Sequence, residues 1–255
     1  MVTQHFDRRT LTTAALLALL LAVGVAALLA GRRQATTSTS AGISPASATA
    51  IAIAASAPLP DCADPSVIAA EPGVPRLPGR GAPIAVPAGE PAVVARVNGV
   101  PIQATQLESL VTAGVHRQSG QSAQALRQHI LQELIDDQLA VQAAAKLGLT
   151  ATPTDAKAAA AAALVPYATS TKGSQVYTVM ASYLCAYGLT PATFLADPLV
   201  LQGYQQQATI VALHRYIIAG LPANVRDDQA NSGQSPALLN YYAHLRANAD
   251  VQTYI

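Results

Sequence analysis

Side chains that titrate, attack or ligate are few in this chain, and they are scattered. The five histidines stand at positions 5, 116, 129, 214 and 244. His129 and Glu133 lie four residues apart in a helical pattern and could reach one ion together, yet no third ligand is spaced to complete a metal site. An i, i+4 pair on a helix surface is the plainer reading. Asp136 and Asp137 are adjacent, so on a helix they point in different directions and form no acid–base dyad. HExxH, GxSxG and a phosphate-cradling glycine loop are all missing. No catalytic residue, metal ligand or cofactor site is therefore assigned, and no enzymatic activity is expected.

The tyrosines remain as candidates. The chain has no Trp and two Phe, and all nine Tyr lie at or beyond Tyr167. Tyr183 and Tyr187 share a helix face, while Tyr204 and Tyr216 fall on the next helical segment. Each offers an apolar body with a polar tip, which suits contact with apolar extended peptides. The same chemistry suits a helix–helix interface, and the spacing leaves both open.

Cys62 and Cys185 are the only cysteines, and their separation excludes a CxxC redox or zinc motif. They could close one long-loop disulfide. Against that, Cys62 sits in a tract that reads as unstructured and Cys185 in an apparent helix, so a free or structural thiol is expected over a bridge.

These side chains must be carried by elements that the pattern reveals in part. Only 11% of the 255 residues are charged and the net charge is +1. That excludes the broad basic surface of a nucleic-acid binder. Residues 1–10 form a short tail. Residues 11–31, LTTAALLALLLAVGVAALLAG, carry no charge between Arg8-Arg9 and Arg32-Arg33. As a helix this stretch spans roughly 30 Å, the thickness of a bilayer core, and reads as a transmembrane signal anchor. A cleaved signal peptide is the rival reading, but its apolar region is usually shorter, and cleavage after Ala30 would set Leu28 where a small residue is preferred. Two arginines face two arginines, so charge does not decide the orientation. Residues 32–92 are rich in Pro, Ala, Ser and Thr and read as a disordered linker.

Folded structure is expected over 93–255. VVARVNGVPIQ holds two apolar runs around Asn98-Gly99, the pair that a two-residue type I′ hairpin favours. A short helix follows over Gln103–Val111, then a long amphipathic one over Ala125–Leu147. The latter places Leu126, Ile130 and Leu134 beside Leu131, Ile135 and Leu139 at intervals of four. Gly148 suits its C′ position. Thr152-Pro153-Thr154-Asp155 starts a helix expected to end near Pro166. Another spans Gln175–Tyr187. Thr190-Pro191 opens a segment reaching about Ala219 that Pro198 should divide. Ser235-Pro236 starts the last helix, and VQTYI reads as a strand. The fold class is mainly α, a multi-helix domain with a small β-hairpin.

This order of elements resembles the N-terminal chaperone domain of the SurA/PrsA group of extracytoplasmic foldases. The matching residues are Val94, Ala95, Val97, Asn98, Gly99, Pro101 and Ile102, then Leu107. In the long helix they are Leu131, Leu134, Ile135, Asp136 and Leu139, followed by Lys146-Leu147-Gly148-Leu149. Tyr187–Phe194 (YGLTPATF) and Tyr241-Tyr242 add a looser likeness over the second half. Gln103 departs from the pattern, standing where a capping Thr is usual. Members of this group usually carry a parvulin-type prolyl isomerase domain next. Here VQTYI resembles the first strand of that domain, with Tyr254 in the place of a histidine, and the sequence ends at Ile255.

The resemblance therefore implies the chaperone-like half without the enzyme: a membrane-anchored domain outside the cytoplasm that binds unfolded or exported polypeptides. The stretch at 11–31 gives a single-pass location in the cell membrane, and the resemblance breaks the charge tie in favour of export. Two alternatives stay open. One is a prolyl isomerase, or the targeting half of one completed by a partner chain. The other is a structural subunit of an envelope complex.

Overall fold

A computed structural model describes residues 45–70, 84–113, 121–222 and 235–255. The expected span at 11–31 lies outside these residues, and among those described no helix is long and apolar enough to cross a membrane. The chain runs α1 (Pro45–Ala55), α2 (Pro65–Ala70), β1 (Val93–Val97), β2 (Val100–Gln103), α3 (Ala104–Ala113), α4 (Ala123–Lys146), α5 (Pro153–Thr169), α6 (Gln175–Ala186), α7 (Pro191–Phe194), α8 (Pro198–Ala219), α9 (Pro236–Ala247) and β3 (Val251–Thr253). The described residues are mainly helical with one small sheet, as the apolar periodicity predicts.

The hairpin turn has φ of +51° at Asn98 and +82° at Gly99, the positive values that a type I′ turn needs at both positions. The strand expected in VQTYI is present as β3. Its residues 251–253 pair antiparallel with β1, which makes β1 the centre of a three-stranded sheet in the order β2-β1-β3. Asn98 fastens this closure: its N–H donates to the Asp250 carbonyl at 2.7 Å, and its Oδ1 accepts from the Asp250 N–H at 2.9 Å. Its Nδ2 donates to Gln142 on α4 at 2.6 Å, and Gln142 returns a bond to the Val97 carbonyl at 3.0 Å. One turn residue thus ties hairpin, last strand and longest helix together.

The side chains of α4 divide along its length between two cores. Leu126, Ile130, Leu131, Leu134, Ile135 and Leu139 pack with the sheet and Leu107 of α3. Ala140, Ala143 and Ala144 pack instead against Ile210 and Leu213 of α8, where the small side chains admit a close helix approach. A third and larger core joins α1, α2, α5, α6, α7 and the start of α8 through Ala54, Val67, Leu164, Tyr167, Leu184, Phe194 and Val200. The long helices α4 and α8 therefore each serve two cores and hold the assembly in register.

Helix ends follow their local chemistry. Gly148 (φ +68°) and Gly188 (φ +60°) close α4 and α6. In each case the glycine N–H and the next N–H bond back to carbonyls of the last turn, the paired pattern of a Schellman cap. Thr152 and Asp155 cap α5 reciprocally, and Asp197 caps α8 just before Pro198, so the proline divides α7 from α8 as expected. Ser235 precedes α9 without a side-chain cap bond.

Three expectations are corrected. The linker assigned to 32–92 contains two helices, α1 and α2, packed on the third core, with Ala54 fully buried. Their order comes from distant contacts that composition does not encode. The folded region also begins before residue 93: Val86 packs on the first core, and Glu90 pairs with Arg127 of α4, which also bonds Glu108 of α3 at 2.7 Å. Finally, α5 does not stop at Pro166 but runs to Thr169. A proline loses only one donor in a last turn, and continuing the helix sets Tyr167 fully into the core.

Candidate functional site

Ser174 caps α6, its hydroxyl accepting from the Tyr177 N–H at 3.3 Å. From this start, Tyr183 and Tyr187 fall one turn apart with ring centroids 4.5 Å apart, edge to face. Phe194, set on α7 by the Thr190–Thr193 capping box, lies 5.9 Å from Tyr183. It also lies 5.9 Å from Tyr204 of α8, again edge to face. Edge-to-face rings satisfy one another's quadrupoles, so the cluster stabilises itself beyond its buried area. Burial raises the Tyr204 phenol well above its ordinary pKa.

The structure thus brings together Tyr183, Tyr187 and Tyr204, with Phe194 as the link that sequence reasoning missed. Tyr187 and Phe194 are buried, while Tyr183 and Tyr204 are half-buried. Tyr216 does not join them; it lies toward the end of α8 with 55% of its surface exposed.

A second arrangement lies on the same core. Cys62 and Cys185 form a disulfide across 123 residues, which corrects the expectation of free thiols. Cys62 is exposed and Cys185 half-buried. The bridge staples the segment carrying α1 and α2 to α6. Closing a loop of this size stabilises by about 4–5 kcal/mol in the chain-entropy account. Around it, the Tyr167 hydroxyl donates to the Pro58 carbonyl at 2.8 Å, and Lys172 pairs with Asp61 at 2.8 Å. Burial pushes the Tyr167 phenol upward. Helix α1 lies along α5, and α2 rests on α6. The signal available beforehand was a pair of cysteines downstream of the uncharged stretch at 11–31, which, read as an anchor of an exported chain, would set them where disulfides persist.

The scattered titratable groups fall into separate roles. His129 and Glu133 meet at 3.3 Å on the exposed face of α4. His214 Nε2 lies 2.7 Å from the Tyr242 hydroxyl, and burial lowers the histidine's pKa. Asp136 pairs with Arg246 of α9. Asp137 is pushed up to about 6, first by burial and then by the charges of Glu133 and Asp136. His5 and His116 lie outside the described residues. No group of three His, Cys, Asp or Glu residues that could hold a metal ion occurs among the described residues. Around Tyr183, Tyr187, Phe194 and Tyr204, what the described residues offer is apolar and aromatic packing.

No curated protein and no solved structure matches the chain. The four candidate tyrosines and the segment bearing α1 and α2 both lie beyond the part for which a relationship is found. That part takes in the sheet's hairpin, α3, α4 and α5, where Asn98-Gly99 and the apolar rows of α4 had already suggested the family: residues 84–174 match the family model of the SurA-like N-terminal domain.

Proposed function

We propose that this chain is a membrane-anchored, extracytoplasmic domain of chaperone type that binds unfolded or exported polypeptides and catalyses nothing itself. The observation that carries the reading is the match of residues 84–174 to the SurA-like N-terminal domain. Three features support it. The uncharged stretch at 11–31 has the length of a membrane span. A disulfide between Cys62 and Cys185 fits an oxidising compartment. The half-buried Tyr183 and Tyr204 give the third core an aromatic edge suited to apolar segments.

The test is suppression of aggregation of a chemically unfolded model protein by the purified full chain in mild detergent. Suppression near equimolar ratio is expected, and no effect at tenfold excess would sink the reading. A protease-free proline isomerisation assay on the same preparation should show no acceleration. Acceleration there would favour the isomerase alternative.

A further inference from the structure

Residues 45–70 lie on an apolar face that the rest of the fold has already built. Helix α1 carries no charged residue and buries only Ala54 completely, with Ala50 and Ile51 partly covered, as is Ala57 just beyond its end. Helix α2 buries only Val67 and leaves Ile68 55% exposed. The polar ties are the Tyr167–Pro58 hydrogen bond and the exposed Lys172–Asp61 pair, and an ion pair in water holds little. Among the described residues, the cores around the sheet and around Ile210 and Leu213 contain nothing from 45–70. The third core keeps Leu184, Phe194, Leu195 and Val200 from other elements. The fold therefore has the means to persist when this segment leaves, and the Cys62–Cys185 bridge is what fastens the segment down.

We propose that this disulfide is a redox latch over the polypeptide-binding face. Closed, it keeps α1 and α2 seated on α5, α6 and α7. Opened by a dithiol, it releases them and hands the face to an uncharged, alanine- and isoleucine-rich segment of an unfolded chain, of the same chemistry as PASATAIAIAA. The inference rests on the polypeptide-binding reading above and adds its site, its ligand class and its control. Exposure of Cys62 gives a thiolate access. Attack on Cys62 Sγ forms a mixed disulfide and expels Cys185 as thiolate. The dithiol's second sulfur then closes on the first and expels Cys62. The dithiol loses two electrons and two protons to become a cyclic disulfide, and the two cysteines end as thiols.

The experiment uses the full chain in mild detergent and a fluorescent peptide of residues 45–57. Oxidised protein, protein reduced with dithiothreitol and the double variant Cys62→Ser/Cys185→Ser are compared. At least tenfold tighter peptide binding is expected in the two open forms, with faster elastase cleavage within 45–70 and unchanged helical circular dichroism over the rest. Equal binding in closed and open forms would overturn the latch, as would loss of most helical signal on reduction. Ala54→Arg, which forces a charge into the seat of α1, should raise peptide binding further when added to Cys62→Ser/Cys185→Ser, because the tethered segment then competes less for the face; no further rise overturns the proposal. Aggregation assays separate the two readings. If no form protects a model client, polypeptide binding itself fails, whereas equal protection by closed and open forms removes the latch alone.

Discussion

Asn98 answers two demands with one side chain. Its φ of +51° is a conformation that Asn tolerates better than most L-residues, and its amide reaches both Asp250 and Gln142. Replacement by Gly keeps the turn and loses the bonds, whereas Ala loses both. Asn98→Gly should cost on the order of 1–2 kcal/mol and Asn98→Ala about 1 kcal/mol more, read from urea melts. Thr209 is a buried counterpart. Its hydroxyl accepts from the Ala151 N–H at 3.0 Å and donates to the Gln205 carbonyl at 2.8 Å, while Gln205 bonds the Ala151 carbonyl. Thr209→Val fills the same space but strands a buried N–H, at about 1–3 kcal/mol.

Asp137 makes a prediction about pH. Burial, and then the charges of Glu133 and Asp136, push its carboxyl up to about 6 from an ordinary 3.8, so the folded state binds the proton more tightly than the unfolded chain. Its ionisation therefore removes stability as pH rises from about 4 through 6. Asp137→Asn should be more stable than the parent at pH 7–8, on the order of 1–2 kcal/mol, with the gain vanishing near pH 4. His214 on α8 works in the opposite direction, since burial lowers its pKa and its protonation in acid therefore disfavours the fold. Tyr242 of α9 and the Asp136–Arg246 pair, which joins α4 to α9, complete the set. Thermal melts of parent and variant across pH isolate the aspartate's share.

At the scale of elements, what could be read beforehand was what is locally determined. Thr152-Pro153-Thr154-Asp155 caps α5 by bonds within four residues, and Asn98-Gly99 sets a turn by its own backbone. Such signals depend on near neighbours, so they survive without knowledge of the fold. The rows of α4 were equally legible, since a helix repeats its face every turn. Helix α1 was not, because PASATAIAIAA has no polar side to oppose its apolar one and owes its place to α5. Nor was the end of α5, where burial of Tyr167 outweighs the donor lost at Pro166. The tyrosine spacing put Tyr183 and Tyr187 on one face, but periodicity does not say whether a face meets solvent, a ligand or Phe194. The cap itself can be tested: Thr152→Ala should cost about 1 kcal/mol in thermal or urea melts.

At the scale of the whole molecule, the described residues string three cores along two long helices, and the sheet is closed by residues far apart in sequence. β1 ends at Val97 and its partner β3 begins at Val251. Deleting residues 251–255 should lower the melting temperature and promote association, because the uncovered edge of β1 presents unpaired backbone groups. Light scattering during a thermal ramp reads both effects.

The pairing of β1 with β3 also sets a timetable. During synthesis the hairpin and α4 emerge first, and at ordinary elongation rates the partner strand follows on the order of ten seconds later. Throughout that interval the middle strand has one edge satisfied, and Asn98 has no Asp250 to hold. The polypeptide is then itself an incomplete fold with an open strand edge, so its own nascent chain passes through the kind of state that a chaperone-type domain would attend.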